Sequence, residues 1–365
     1  MKTNFLFLFI YLLSGSGLIA QQTSTQQLNG MDTIMLKNWK PRSSVVTQET
    51  FVPKAAYPAI DIHVHHYAKT PEQVTEWVKA MDQFGIQMTV VLTQATGSEF
   101  DKLVNLYLKK YPTRFQLWCG LDITNIDKPE FSIQAAAELE RCYKMGARGI
   151  GEIMEKGGGF TMDTRDKMHA DDPRMDAFWE KAAELRMPVD IHIADHPSAW
   201  TPLDNNQERS PEFQHYNQVG KDVLSYEDCL IMMGRMLARH PKNTFILAHL
   251  ANQGNDLGEL SKKLDKYPNM YLDLSARNYE VGRTPRAAAK FLAKYPDRVL
   301  FGTDVDTNAA GAKSMYLSWW RLLETADEYM PGTVSWRVYG LELPKSVLEP
   351  LYRGNALKLL NFTKL

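Results

Sequence analysis

Eight short β-branched or apolar runs alternate with eight longer stretches of helical period, and that alternation constrains this chain more than any other feature. The runs are 59–63, 88–93, 115–122, 149–153, 188–193, 244–249, 270–274 and 298–302, each bounded by turn residues or a helical segment. The helical stretches are 71–84, 100–111, 133–145, 175–186, 226–240, 257–267, 286–295 and 315–325. Thr70-Pro71 and Thr284-Pro285 have the form of an N-cap followed by an N1 proline. Strands alternating with helices pair in parallel through right-handed crossovers. Eight such units close into a (β/α)8 TIM barrel, the expected fold class, as one α/β domain over 59–365. The rival is an open doubly wound sheet. No Gly-x-Gly-x-x-Gly or P-loop follows the first strand, and no Lys-Ser/Thr pair follows Gly157-Gly158-Gly159, which weakens a nucleotide-binding sheet.

Ahead of the barrel, Lys2 is followed by the apolar run 5–13 and then by Ser14-Gly15-Ser16-Gly17 and Ala20, the form of a secretory signal peptide over 1–20. The run is too short to span a bilayer, which takes about twenty residues. A secreted or periplasmic enzyme with no membrane attachment in its mature form is expected. Residues 21–58 are polar and broken by Pro41, Pro53 and Pro58, which reads as an extended arm. Lys and Arg total 42 against 43 Asp and Glu, so no basic footprint argues for nucleic acid. Cys119, Cys142 and Cys229 are far apart and odd in number, which suggests neither a disulfide framework nor a cysteine zinc site.

Barrel enzymes carry their chemistry at the C-terminal ends of the strands, and here those ends are rich in metal-ligand residue types. The first reads Ile60-Asp61-Ile62-His63-Val64-His65, which by strict alternation puts Asp61, His63 and His65 on one face. Two histidines so placed can share one metal ion. The fourth strand ends at Glu152, and the fifth puts Asp190 and His192 on one parity. The sixth ends at His249 and the eighth at Asp304, a carboxylate after a buried run, where an unpaired charge is costly. A lone histidine is more often a satisfied core residue, yet His63, His65, Glu152, His192, His249 and Asp304 come from five strands to one mouth.

With these pieces the chain resembles the amidohydrolase superfamily, and within it amidohydrolase family 2, over roughly 39–360. The resemblance rests on the His-x-His of the first strand, His192, Leu247-Ala248-His249, Phe301-Gly302-Thr303-Asp304 and the closing run Leu351-Tyr352-Arg353-Gly354-Asn355-Ala356. It implies a distorted barrel and a catalytic divalent metal, most often zinc, with manganese, iron or nickel as alternatives. It implies that His63, His65, His192 and Asp304 hold the metal and that His249 is a further ligand or a catalytic histidine. Glu152 is similar to a strand-four glutamate that bridges two metals in the TatD-like branch, so one ion or two are both open.

A divalent ion makes water reactive near neutral pH. The expected function is hydrolysis of a small-molecule lactone, ester or amide, with Asp304 as general base and His249 stabilising an oxyanion or orienting the substrate. Arg277 and Arg283, above the seventh strand, suit a substrate carboxylate, and Trp200, in the long segment 195–225, suits stacking on a ring. A non-oxidative decarboxylase of an aromatic or unsaturated acid is the alternative, and a secreted binding protein without activity the distant third. The oligomeric state is open, with a homo-oligomer among the options.

Overall fold

Parallel strands and helices alternate through the computed structural model, which describes residues 34–35, 38–39, 42–161, 167–204, 206–209, 213–305, 309–332 and 336–360. The strands are β1 (Ala59–His65), β2 (Ile86–Leu92), β3 (Phe115–Trp118), β4 (Ile150–Glu155), β5 (Val189–Ile193), β6 (Phe245–Leu247), β7 (Met270–Asp273) and β8 (Val299–Leu300). One long helix follows each: α1 (Pro71–Phe84), α2 (Gly97–Leu108), α3 (Phe131–Met145), α4 (Asp176–Glu184), α5 (Tyr226–Arg239), α6 (Leu257–Lys266), α7 (Pro285–Lys294) and α8 (Ala309–Glu324). All sixteen elements fall where the periodicity puts them, with ends that differ by a few residues. The largest difference is α8, which begins six residues before the apolar period that signals it.

Strands β1 to β3 form one parallel sheet and β4 to β8 another. At one seam Cys119 N–H donates to the Gly149 carbonyl at 3.1 Å and Gly151 N–H to the Cys119 carbonyl at 2.8 Å. At the other, Ile62 N–H donates to the Phe301 carbonyl at 3.0 Å and Asp304 N–H to the His63 carbonyl at 2.8 Å. The strand order therefore runs around the barrel with backbone hydrogen bonds at both junctions. Inside it lie Ile60, Ile62, Met88, Val90, Leu92, Trp118, Ile246 and Leu300, joined by Ala356 and Leu360 of the C-terminal segment. Between sheet and helices lies the larger core, with Trp77, Trp179, Trp319 and Trp320 buried in it.

The helix starts follow their sequence signals in part. The Thr70 hydroxyl accepts from Gln73 N–H at 3.3 Å with Pro71 at N1, and Ser225 caps α5 by accepting from Asp228 N–H at 3.1 Å. Thr284 stands at the N-cap of α7 but makes no side-chain capping bond.

The chain divides into units 1–46 and 47–365. The expected signal peptide, 1–20, lies outside the described residues. In the first unit the described residues include one turn, in which Asn38 N–H donates to the Met35 carbonyl at 2.7 Å. Residues 47–58, the end of the expected extended arm, are hydrogen-bonded to the C-terminal part of the barrel unit. Thr50 gives its N–H and its hydroxyl to Asp327 at 2.7 Å each, and Ala56 N–H donates to Glu324 at 3.0 Å. No helix among the described residues is long and apolar enough to cross a membrane.

Candidate metal centre

Strict alternation would put His63 on the same face as Asp61, and the structure does not. In the β1–β2 register Asp61 pairs with Thr89 and Val64 with Val91, so Ile62 and His63 face a single residue of β2. The extra residue is a bulge, which re-aims a side chain. Asp61 consequently points the other way, accepting from the Thr303 hydroxyl at 2.6 Å and the Tyr316 hydroxyl of α8 at 2.9 Å. Burial lifts its pKa to about 6 against those two hydroxyls. The β4–β5 register repeats the device: Ile150 pairs with Val189 and Ile153 with Ile191, leaving Gly151 and Glu152 opposite Asp190 alone. β5 keeps regular alternation, with Val189, Ile191 and Ile193 in the outer core and Asp190 and His192 among the buried polar residues.

His249 and Asp304 stand just beyond their strands. β6 ends at Leu247, and His249 sits in a left-handed turn with φ of 59°. Asp304 also has a left-handed backbone, φ 57°, and its N–H is tied to the His63 carbonyl. Gly302, between β8 and Asp304, has to be glycine, because a Cβ there would lie 2.9 Å from the His63 Cβ.

These bends bring all six expected side chains together, with Glu152 at the hub. Its Oε1 lies 2.7 Å from His192 Nδ1, 3.3 Å from His249 Nε2 and 4.0 Å from His63 Nε2, and its Oε2 lies 3.4 Å from His65 Nε2. Asp304 Oδ1 approaches His65 Nε2 at 3.6 Å from the open side, its side chain 28% exposed against 4% for Glu152. Among the described residues four overlapping sets have ligand atoms within 4.8 Å of one another: His63, His249 and Asp304; His63, His65 and Glu152; Glu152, His192 and His249; and, behind the hub, His63, Asp190 and Asp273.

Each imidazole turns one nitrogen to the hub and fixes the other outside it. His63 Nδ1–H donates to Asp273 at 2.9 Å, His65 Nδ1–H to the Leu92 carbonyl at 3.1 Å and His249 Nδ1–H to the Ser275 carbonyl at 2.9 Å. His192 is reversed, with Nδ1 toward Glu152 and Nε2–H donating to Asp195 at 3.0 Å. Metal-binding histidines show this pattern, the outer acceptor setting the tautomer. His63 Nε2 is buried and has no hydrogen-bond partner among the described residues. Four inward nitrogens, two carboxylates and that orphaned atom fit a divalent cation.

Burial and neighbouring charge pull against each other on these side chains. Burial works against a proton on His63, but Asp273 and Asp190 outweigh it and raise its pKa well above the ordinary imidazole value. Burial would likewise neutralise Glu152, but His192, His249 and His65 hold it well below the usual carboxylate range. Burial lowers the His249 pKa, helped by His192, Arg277 and His63, so it is neutral. Asp190 is pushed well up by burial, and neither of its oxygens has a hydrogen-bond partner among the described residues.

The three expected substrate residues fare differently. Arg277 is buried near the centre and donates to Asn252 Oδ1, to the Ala276 carbonyl at 2.9 Å and to the Tyr279 hydroxyl at 3.1 Å. Arg283 makes a two-pronged pair with Glu208 at 2.6 and 2.7 Å, its guanidinium 4.4 Å from the centroid of the Trp336 ring. Trp200 anchors its own loop, donating Nε1–H to the Leu224 carbonyl at 2.9 Å and packing on Tyr226. Sequence reasoning passed over Asp273, Ser275 and Asp195, the outer partners of the histidines. The signal was there in Asp273, an acidic residue closing a buried strand.

A parallel barrel with imidazoles and carboxylates gathered at one end defines a metal-dependent enzyme of the amidohydrolase superfamily. The chain belongs to the amidohydrolase family, whose model matches residues 60–362. No curated protein matches it. Among solved structures it is similar to a dihydroxybenzoic acid decarboxylase from Polaromonas sp. JS666 with bound manganese and the inhibitor 2-nitroresorcinol, at 17% identity and a TM-score of 0.51 over 83% of this chain and 97% of that one. A 2,6-dihydroxybenzoate decarboxylase from Rhizobium gives 17% and 0.51 over 83% of this chain and 98% of its own. A 5-carboxyvanillate decarboxylase from Sphingomonas paucimobilis gives 14% and 0.50 over 84% and 100%. At such identities the likeness establishes the fold.

Proposed function

We propose that the chain is a hydrolase of a small-molecule lactone, ester or amide, acting outside the cytoplasm. The observation that carries the reading is the hub itself: one carboxylate met by four imidazoles, with a second carboxylate, Asp304, on the open side. A divalent ion held by His63, His65, Glu152, His192, His249 and Asp304 would bring the pKa of water toward 7 and polarise a carbonyl. Imidazole-rich donors suit zinc.

The chain's own residues supply the rest. Asp304, the most exposed carboxylate of the cluster, takes the proton of the attacking water and passes it to the leaving group. His249 sets Nδ1 against the Ser275 carbonyl and turns Nε2 to the hub, where it serves as a further ligand or, as a catalytic histidine, stabilises the oxyanion or orients the substrate. Arg277 donates to neutral oxygens and stands 3.7 Å from Glu280 Oε2, a carboxylate that Arg209 also holds at 2.8 Å, and this arginine beside the mouth suits a substrate carboxylate.

Decarboxylation of a small aromatic acid is the second reading, supported by the fold shared with decarboxylases and by the same buried arginine. Turnover in ¹⁸O-labelled water separates them. Hydrolysis puts label into the new carboxyl group of the organic product, while decarboxylation leaves the organic product unlabelled and one carbon shorter. Under the first reading Asp304→Asn lowers kcat by about 10²–10⁴ under metal-replete conditions. Full activity in that metal-loaded variant would remove Asp304 as the base.

A further inference from the structure

Of the four outer acceptors that orient the histidines, two are backbone carbonyls, which cannot move independently of the fold. Asp273 is nearly as fixed, because its Oδ1 takes the N–H groups of His249 and Ser275 at 2.9 and 3.0 Å. Asp195 is held otherwise. Its Oδ1 takes both His192 Nε2–H and the Lys156 ammonium, at 3.0 and 2.9 Å, and its Oδ2 is buried without a hydrogen-bond partner among the described residues. Lys156 is therefore the only grip on Asp195, among the described residues, that does not come from the histidine Asp195 must orient.

Lys156 also stands in a telling place, on the residue after β4 and four beyond Glu152. One strand end thus supplies the hub carboxylate and the cation that steers its neighbour on β5. The ordinary reading of Lys156–Asp195 is a surface ion pair of little energetic weight. Here the Asp195 side chain is only 11% exposed and its second contact is a hub histidine, so the pair fixes a geometry whatever it adds to stability.

We propose that Lys156 is a positioning residue for the metal centre: by pinning Asp195 it fixes the His192 ring with Nδ1 facing Glu152. The inference rests on the metal-centre reading above. Without the ammonium, Asp195 can rotate about its own side chain, His192 loses a fixed acceptor, and the ring is free to turn Nδ1 away from the hub.

The test is metal affinity, measured by chelator competition with zinc and then manganese on the full chain, beside the melting temperature of the metal-free protein. Loss of an outer partner of a ligating histidine typically weakens binding about 10–100-fold. Asp195→Ala should fall in that range and Lys156→Met near its lower end, while Lys156→Arg returns within about twofold of the native chain. The metal-free melting temperature should stay unchanged in both lysine variants. Should Lys156→Met fail to fold, Asp195→Ala and Lys156→Arg carry the same readout. Native affinity in Lys156→Met or Asp195→Ala overturns the inference alone. So does a loss matched by a fall in metal-free melting temperature, which marks a merely structural role. A native chain that binds neither ion overturns both the inference and the reading beneath it.

Discussion

Asp273 collects more of the centre's donors than any other outer residue. Its Oδ2 takes His63 Nδ1–H at 2.9 Å, and its Oδ1 takes the backbone N–H of His249, that of Ser275 and the Ser275 hydroxyl. Burial would raise its pKa, but His63 and His249 hold it far below the ordinary carboxylate range, so it stays charged. Removing one partner of a buried charged pair costs about 3–5 kcal/mol, because the donors left behind are dry and unpaired. Asp273→Ala should destabilise the metal-free chain by that amount in urea unfolding, and an effect under about 1 kcal/mol would contradict the assigned hydrogen bonds. The six hub residues were legible in the sequence because histidine and carboxylate at the ends of otherwise apolar strands are conspicuous. Asp273 carried the same strand-end signal and was passed over, whereas Asp195 reads as an ordinary loop acid until its neighbours are known. For Arg283 and Trp200 residue type suggests a ligand, and only the contacts show that each also has a partner in the fold, Glu208 and the Leu224 carbonyl.

At the scale of elements, periodicity located the eight barrel strands and their eight long helices but missed the two bulges that shape the centre, the short pair Met330–Pro331 and Arg337–Val338, and the C-terminal helices Lys345–Glu349 and Asn355–Leu359. Alternation is a rule about regular pairing, and nothing in Ile62-His63 or Gly151-Glu152 announces an extra residue. Both bulges lie at the centre, where His63 and Glu152 have to turn inward. The segment after β5 shows a second kind of interaction that sequence hides. His196 accepts from Ser198 N–H at 3.2 Å, stacks on Phe213 and lies among Arg209, Arg277 and Arg283. Burial, then those three cations, lower its pKa to about 3 from an ordinary 6.5. The unfolded chain therefore binds a proton at this position that the folded chain refuses between those values, and stability falls as pH drops through the window. His196→Asn keeps an acceptor for Ser198 and removes the titration. The native chain should lose about 1.4 kcal/mol more per pH unit than the variant below pH 6.5. Parallel stability curves between pH 6.5 and 5 would mean that His196 is protonated in the fold.

Across the whole molecule the centre joins what backbone pairing leaves as two sheets. His63 and His65 come from the three-stranded sheet, while Glu152, His192, His249 and Asp304 come from the five-stranded one or the turns just beyond it. Between the sheets the backbone contributes only a few hydrogen bonds per seam. A cation bound at the hub would therefore cross-link the barrel at its open end and relieve the crowding of Glu152 and Asp304 there. Binding to the folded state alone adds RT ln(1 + [L]/Kd), about 2.7 kcal/mol at a hundredfold excess over Kd. For a chain of 365 residues each kcal/mol moves the melting temperature by roughly 1–2 °C. Zinc or manganese at that excess should raise the melting temperature of the chelated protein by about 3–5 °C. Amide exchange should slow on β1 and β4 together, since an ion held by His63, His65 and Glu152 ties those strands across the seam. Protection confined to one sheet would mean that the ion binds elsewhere, and a melting curve indifferent to chelator and metal alike would mean that the six side chains hold no ion at all.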